Sequence, residues 1–516
     1  MSYITAELAA ESPDELGLCD DLRSYSRRAL EPVLNRVSNA MRDLRLTPGC
    51  RIAVFARNSA DNVLAYQGAL HAGISSVPVS AHLTVDEVAY ILEDSSTEVL
   101  FVGPDTTAVG IEAAHRAGIS RIIGWRCAGA QGVKDWEGWL NAASAAPPPD
   151  NVTPAPMLHY TSGTTGRPKG TETPPTMFPR EKTVRAYFDA LRARQGGLAF
   201  PSPALIVSPM HHTGPLISAR LLGAGLSLVV LPRFDAEEVL ATIERHRVRS
   251  VMMVPTHFQR LLALPREVRD KYEVSSLEQV SHTGAACPRE VKRQMIEWFG
   301  PVLLEAYGAT ESGSTNMITS EEWLRKPGSV GRTLPPFEVE VISDTGEKLP
   351  CKEVGVLYFR DTSGRGIVYH NDSEKTAGVH REPGVFTLGE MGYVDEDGYV
   401  FITDRISDMI VSGGVNIYPV EIEDVLCQAP GVRDVAVIGI PNAEMGEEVK
   451  ALIVPEDLAA PPSMDALNRF CRERIAAYKA PRTYGFVADI GRNPMGKINK
   501  KVLRKPYWPT ERTIGG

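Results

Sequence analysis

Residues 160–170, Tyr-Thr-Ser-Gly-Thr-Thr-Gly-Arg-Pro-Lys-Gly, are the most informative segment of this chain. Glycines let such a backbone turn so that its amide hydrogens converge, and the hydroxyl groups and one ammonium add donors around the same point. A polyphosphate needs such a set of donors. The spacing is not that of a Walker A loop, because Lys169 is followed by Gly170 instead of a serine or threonine. On its residues alone, the segment is either a phosphate-binding loop or a polar surface loop.

Around this segment the sequence alternates short apolar runs with stretches of helical spacing. Such alternation predicts parallel sheets covered by helices. A helix is predicted over 61–72, and strands are predicted at 51–56, 75–79, 99–103, 121–124, 204–208, 227–231 and 250–254.

The second half of the chain changes character. From about residue 330 the apolar runs 338–342 and 355–359 are separated by turns, which predicts an antiparallel β subdomain. After Arg405 about 110 residues have strands of their own at 435–439 and 450–454, enough for an independent core. We therefore predict an α/β fold with a large N-terminal domain of helix-covered sheets and a small α+β C-terminal domain.

Composition excludes several classes of protein. The 516 residues are 43% hydrophobic and 23% charged, as in ordinary globular proteins. The net charge of −9 leaves no basic field to gather nucleic acid. The seven cysteines include no Cys-x-x-Cys pair, which favours a reduced, cytoplasmic protein over a zinc site or a secreted one. The best membrane candidate, 221–231, has about half of the length that a span needs, so no integral membrane segment is expected.

The full 160–170 string resembles the phosphate-binding loop of the adenylate-forming superfamily, which includes acyl-CoA synthetases, peptide-synthetase adenylation domains and luciferases. The resemblance covers roughly residues 50–500, with the motifs in the expected order. The segments 309–312, 326–331 and 408–416 are most similar to acyl-CoA synthetases, in particular to bile-acid, steroid side-chain and fatty-acid CoA ligases.

The resemblance implies a site for ATP and Mg²⁺. It implies that Tyr307 lies along the adenine, that Thr310 bonds the α-phosphate and that Glu311 holds Mg²⁺. The implied catalytic residues are Lys497, His212, Thr310 and Glu311. The implied ATP- and AMP-binding residues are Thr161, Ser162, Gly163, Thr164, Thr165, Lys169, Gly284, Ala285, Ala286, Glu305, Ala306, Tyr307, Gly308, Thr310, Glu390, Arg405 and Lys497.

The resemblance also implies domain boundaries and two further subsites. An adenylation domain over 1–405 is followed by a hinge over 406–408, centred on Ser407, and a mobile small domain over 409–516. Lys500, Lys501 and Lys505 are expected to form a solvated basic tail. Coenzyme A is expected at Ser412, Gly413 and Gly414, and the acyl pocket is expected at His211, His212, Thr256, His257 and Gly308.

One position departs from the superfamily pattern. The resemblance implies an aspartate that binds both ribose hydroxyls, whereas this chain has Glu390 there. The carboxylate is kept, but one added methylene moves it by roughly an ångström or more, which is a large displacement in a bidentate contact.

We therefore expect an ATP-dependent acyl-CoA ligase that forms an acyl-AMP intermediate and releases AMP and pyrophosphate. The resemblance to steroid-type ligases implies a bulky, apolar acid, with a polycyclic ring system as one option. The segment 209–214 agrees with this, since it has no acidic residue to hold the ammonium of an amino acid. A ligase that loads a carrier protein and a non-catalytic nucleotide-binding regulator are the alternatives. The oligomeric state is left open, with a homodimer as one option.

Overall fold

The computed structural model describes residues 4–127, 129–149, 151–161, 168–194, 202–413, 415–493 and 496–508. Its helices are α1 (Ile4–Glu11), α2 (Arg27–Arg42), α3 (Ala60–Ala72), α4 (Val85–Asp94), α5 (Thr107–Arg116), α6 (Trp136–Asn141), α7 (Val184–Arg194), α8 (Thr213–Leu221), α9 (Ala236–His246), α10 (Pro255–Leu262), α11 (Arg266–Arg269), α12 (Arg289–Phe299), α13 (Ser320–Arg325), α14 (Ser373–Gly378), α15 (Pro419–Leu426), α16 (Met464–Arg472) and α17 (Lys500–Arg504). Across the described ranges, none of these helices has the length and apolar character to cross a bilayer.

The strands form four sheets. They are β1 (Leu16–Cys19), β2 (Ser24–Ser26), β3 (Arg51–Phe55), β4 (Ser76–Val79), β5 (Thr97–Val102), β6 (Arg121–Gly124), β7 (Val133–Asp135), β8 (Leu158–Thr161), β9 (Lys169–Glu172), β10 (Ala204–Ile206), β11 (Leu228–Val230), β12 (Ser250–Met253), β13 (Gln279–His282), β14 (Leu303–Ala309), β15 (Gly313–Thr319), β16 (Ser329–Thr333), β17 (Phe337–Ile342), β18 (Gly355–Asp361), β19 (His380–Glu382), β20 (Val385–Val394), β21 (Tyr399–Arg405), β22 (Ile410–Ser412), β23 (Val415–Ile417), β24 (Val432–Asn442), β25 (Gly446–Pro455) and β26 (Thr483–Phe486).

The first predicted parallel sheet is confirmed, with the order β4-β3-β5-β6-β7. Its strands are buried on both faces: in β3, Ile52 and Val54 belong to one core cluster, whereas Ala53 and Phe55 belong to another. Helix α3 covers one face and is itself buried over almost its whole length. Its first turn is capped by the Ser59 hydroxyl, which accepts the Asn62 N–H at 3.1 Å.

The second sheet contains the parallel strands β14-β13-β12-β10-β11-β1 in that order. Strand β14 then pairs antiparallel with β15, and the order continues through β16, β21, β20 and β18 to β17. The predicted antiparallel strands are therefore present, and they extend the large sheet instead of forming a separate one. The carboxyl ends of its parallel strands meet at one edge, where ligands bind in open α/β sheets.

The small domain has its own antiparallel sheet, β23-β22-β25-β24, with β26 added in parallel to β25. Val435 and Val437 face one core cluster, and Ala436 and Ile438 face a second. The predicted basic tail is wrong at Lys500, which begins α17 and is 7% exposed. Its ammonium lies 2.7 Å from the Glu423 carboxylate, because α17 packs onto β24 and turns this lysine inward.

Candidate active site

The parallel strands bring most of the predicted residues to one edge of the large sheet. Four strands (β10, β12, β13 and β14) run in parallel, and each is followed at its carboxyl end by a predicted segment. Those segments contain, in the order of the strands, His212, Thr256, Gly284 and Thr310 with Glu311. Gly284 has a φ of 93°, so a side chain there would be strained.

The β8–β9 hairpin carries the two described residues of the phosphate-loop prediction. Thr161 and Lys169 are paired across it. The Thr161 hydroxyl donates to the Glu311 carboxylate at 3.1 Å, which joins the hairpin to the residues after β14. The other predicted loop residues lie outside the described residues: Ser162, Gly163, Thr164 and Thr165.

Glu390 lies between Tyr307 and Arg405. The Tyr307 hydroxyl donates to one carboxylate oxygen of Glu390 at 2.9 Å, and Arg405 Nε lies 3.7 Å from the other. Glu390 and Arg405 face each other across the β20–β21 ladder. Burial raises the pKa of Glu390, and the neighbouring Arg405, Tyr307 and Lys497 act against this rise. The carboxylate is therefore held in one position by two neighbours.

Lys497 of the small domain reaches the same region. The surrounding protein lowers the pKa of Lys497, and the Arg405 charge lowers it further, while Glu311 and Glu390 act in the opposite direction. Residue 497 is nevertheless exposed to solvent. Lys497 thus comes from the small domain, and the two carboxylates that act on it, Glu311 and Glu390, come from the large domain.

His212 is adjacent to this lysine and is neutral at physiological pH. Burial, with a contribution from the Lys497 charge, lowers its pKa to about 4. The rings of His211 and His212 are 4.0 Å apart between centroids, and the pKa of His211 is also lowered by burial. A neutral imidazole donates or accepts hydrogen bonds without adding charge to the site.

A cavity of about 690 Å³ lies between the two domains. Three of the five predicted acyl-pocket residues line it, namely His211, Thr256 and His257, whereas His212 and Gly308 are not on its wall. His257 stacks on Phe234 with the ring centroids 3.9 Å apart. Arginines contribute to the described wall as well: Arg57, Arg233, Arg260, Arg433 and Arg492.

The carboxylate of Glu305 is bound by Lys292. Lys292 is 1% exposed, and its ammonium lies 2.5 Å from that carboxylate. The buried His282 lies 3.8 Å from the same oxygen, and burial lowers its pKa to about 4. The side chain of Glu305 thus has a buried ion-pair partner, and the role of this residue in nucleotide binding stays a prediction.

The predicted hinge and coenzyme A segments lie in the small domain and at its boundary. The Ser407 carbonyl accepts a hydrogen bond from Arg504 at 3.0 Å, and the same arginine lies 3.1 Å from the Asp408 carboxylate. Gly413 has a φ of 58° and its N–H donates to the Met445 carbonyl at 2.8 Å. Ser412 faces Gly446 in the β22–β25 ladder. Gly414 lies outside the described residues.

Sequence reasoning missed several residues of this region. The Thr213 hydroxyl donates to the Thr310 hydroxyl at 3.1 Å. Tyr369 donates a side-chain hydrogen bond to Glu311, and Lys375 lies close to Lys169. Thr213 lies in the 209–214 segment but had no role assigned to it, and no local signal marks Tyr369 or Lys375.

Comparison with known proteins places the chain among adenylate-forming enzymes. The sequence model described as "AMP-binding enzyme" matches residues 5–365, and the "AMP-binding enzyme C-terminal domain" matches 421–497. Long-chain-fatty-acid–CoA ligase FadD13 of Mycobacterium tuberculosis (strain ATCC 25618 / H37Rv) is 31% identical over 93% of each chain. The 3-[(3aS,4S,7aS)-7a-methyl-1,5-dioxo-octahydro-1H-inden-4-yl]propanoyl:CoA ligase of Rhodococcus jostii (strain RHA1) is 33% identical over 89% of each chain. ATP-bound MatB from Rhodopseudomonas palustris superposes with a TM-score of 0.81, at 28% identity and 98% coverage of both chains.

Proposed function

We propose a function from one premise: the chain belongs to the family of AMP-binding enzymes. It is an acyl-CoA synthetase that forms AMP, an acid–thiol ligase that uses ATP, Mg²⁺ and coenzyme A. The observation that carries the proposed mechanism is that Lys497 of the small domain lies near enough to Glu311, Glu390 and Arg405 of the large domain for their charges to act on its pKa.

In the first half-reaction a carboxylate oxygen of the acid attacks the α-phosphorus of ATP. The new bond gives acyl-AMP, and the bond to pyrophosphate breaks with its electron pair on the leaving oxygen. The protein forms no covalent bond in this step, so its contribution is positioning and charge stabilisation. We assign Lys497 and Thr310 to the α-phosphate, Glu390 and Arg405 to the ribose, and Tyr307 to the adenine.

Glu311 fits the requirements of Mg²⁺. This ion prefers a small number of carboxylates together with phosphate oxygens and water. The Glu311 carboxylate is oriented by Thr161 and Tyr369, and the described residues contain no cluster of three His, Cys, Asp or Glu side chains. Remaining ligands would therefore come from phosphate and water. When bound, the ion neutralises charge on the phosphates.

In the second half-reaction the thiol sulfur of coenzyme A attacks the acyl carbonyl and AMP leaves. Lys497 and the 412–414 segment both belong to the small domain, so we assign them to two successive conformations related by rotation about Ser407. In support, the contacts given above for Ser412 and Gly413 are with residues of the small domain, while Lys497 faces the nucleotide site.

For the acid we propose a bulky, apolar carboxylate, with polycyclic acids as the first class to test. The absence of an acidic residue in 209–214 argues against an amino acid. The Rhodococcus relative, by its name, acts on a ring-bearing propanoyl group. The cavity beside His211 has room for a ring system.

We also propose that the enzyme works in the cytoplasm, and that it forms a homodimer, which light scattering would test.

A panel of carboxylic acids tests the function. Pyrophosphate release is measured for short, long-chain, aromatic and polycyclic acids, with and without coenzyme A, and acyl-CoA is detected by mass spectrometry. Coenzyme-A-dependent product supports the ligase. Acyl-AMP that is transferred only to a carrier protein would favour the first alternative, and nucleotide binding with no pyrophosphate from any acid would favour the regulator.

A further inference from the structure

A short helix that carries Lys375 is attached to the strand that begins with Lys169. Thr171 of that strand pairs with Tyr369 in an antiparallel bridge. The Tyr369 N–H donates to the Thr376 hydroxyl on the helix at 3.0 Å. Lys375 is therefore held at a defined position beside the end of the phosphate-loop segment, although it is distant in sequence.

Lys375 has an unusual set of neighbours. Its ammonium lies 3.7 Å from the centroid of the Tyr369 ring, and Lys169 is near enough for its charge to act on Lys375. Burial, and then Lys169, lower its pKa to about 8, while Glu311 and Asp372 act in the opposite direction. Two neighbouring ammonium groups repel each other, and an anion that contacts both removes this repulsion.

The charges around Glu311 favour a polyanion. Lys169 and Lys375 lie on one side of this region, and Lys497 is a third ammonium that interacts with the Glu311 carboxylate. With Arg405, which acts on Lys497, four cationic side chains share this region with three carboxylates, Glu311, Asp372 and Glu390, so an anionic ligand is attracted here.

We propose that Lys375, together with Lys169, binds the β- and γ-phosphates of ATP and the pyrophosphate that is released from them. This inference rests on the proposed function for its catalytic part, since it assigns a leaving group to that reaction. When the α-phosphorus bond breaks, the electron pair goes to an oxygen of pyrophosphate, and two ammonium groups near that oxygen stabilise its charge. Transfer to the thiol involves no pyrophosphate, so Lys375 acts in the first half-reaction and in its reverse alone.

Calorimetric titration tests the binding part without any turnover. Magnesium pyrophosphate and AMP are each titrated into the wild type, Lys375→Gln, Lys375→Arg and the control Lys348→Gln, an exposed lysine paired with Glu340. We expect Lys375→Gln to weaken pyrophosphate binding about 10- to 100-fold, because one charge-assisted hydrogen bond is lost, and to leave AMP binding within about twofold. Lys375→Arg should retain most of the affinity, and Lys348→Gln should retain all of it.

Kinetics then separate this proposal from the proposed function. In Lys375→Gln, the KM for pyrophosphate in ATP synthesis from acyl-AMP should rise by the same factor as the dissociation constant, and transfer of supplied acyl-AMP to coenzyme A should be unchanged. Pyrophosphate affinity within twofold of wild type in Lys375→Gln, or equal losses for AMP and pyrophosphate, would overturn the proposal. If the wild type forms no acyl-CoA but binds pyrophosphate through Lys375, the proposed function fails and the anion site stands.

Discussion

Replacement of Glu390 is the most direct test of how this site binds the ribose of ATP. The carboxylate accepts the Tyr307 hydroxyl at 2.9 Å and lies 3.7 Å from Arg405, which leaves it free to accept the two ribose hydroxyls as well. Each charge-assisted hydrogen bond contributes about 1.5–3 kcal/mol. Glu390→Ala should therefore raise the KM for ATP at least about 100-fold, since it removes both.

The deoxy substrate isolates one of the two bonds. For the wild type, 2′-deoxy-ATP loses a single hydrogen bond, so its KM should be about 10- to 100-fold above that of ATP. In Glu390→Ala the partner of the missing hydroxyl is gone, and the two nucleotides should be nearly equivalent. The assay is pyrophosphate release at saturating acid, with ATP or its 2′-deoxy analogue varied.

Glu390→Asp separates reach from charge. It withdraws the carboxylate by about 1.5 Å, which takes it out of hydrogen-bonding distance of Tyr307 and restores the shorter side chain that the superfamily pattern has. We expect ATP binding to be preserved or tightened, and Tyr307→Phe to serve as the control for loss of the tyrosine contact. The reasoning is refuted if Glu390→Ala leaves the KM for ATP within about twofold and deoxy-ATP serves as well as ATP.

Three further predictions concern catalysis and stability. Lys497→Ala should slow acyl-AMP formation at least about 100-fold and leave thiol transfer from supplied acyl-AMP largely intact, as separate assays of the half-reactions would show; equal losses would contradict the two-conformation assignment. Lys292→Met should lower the free energy of unfolding by about 3–5 kcal/mol in urea titrations, because it leaves the Glu305 carboxylate buried without its partner. The double variant Lys292→Met with Glu305→Leu should recover much of this loss. An unchanged unfolding midpoint in the single variant would contradict the prediction. The free energy of unfolding should also fall as the pH drops from about 6.5 towards 4. Burial lowers the pKa of His71 to about 4, so the unfolded chain takes up a proton in this range that the folded state does not. His71→Phe should show a shallower fall between pH 7 and 5, and identical slopes of unfolding free energy against pH would count against this cause.

The fold was largely predictable because its strands are buried. Runs such as 51–56 and 250–254 are apolar without alternation, and a strand covered on both faces requires that pattern. The junction of the parallel and antiparallel parts was not predictable in the same way. It depends on β14 pairing with β15, and both a continuous sheet and two separate sheets are compatible with the same strand pattern.

In the site, too, residues within sequence motifs could be predicted, whereas contacts that form only on folding could not. Thr310, Glu311 and Lys497 were assigned through the resemblance of their segments to superfamily motifs, and their assigned roles stay predictions. Glu305 was assigned to the nucleotide from its segment, and its ion pair with Lys292 on a neighbouring helix was not foreseen. Lys500 was assigned to solvent because it follows other polar residues, yet the packing of α17 pairs it with Glu423. The position of a charged side chain thus depends on the element that packs against it. Lys169 and Lys375 come close only in the folded chain, so no sequence spacing could have predicted that they are neighbours.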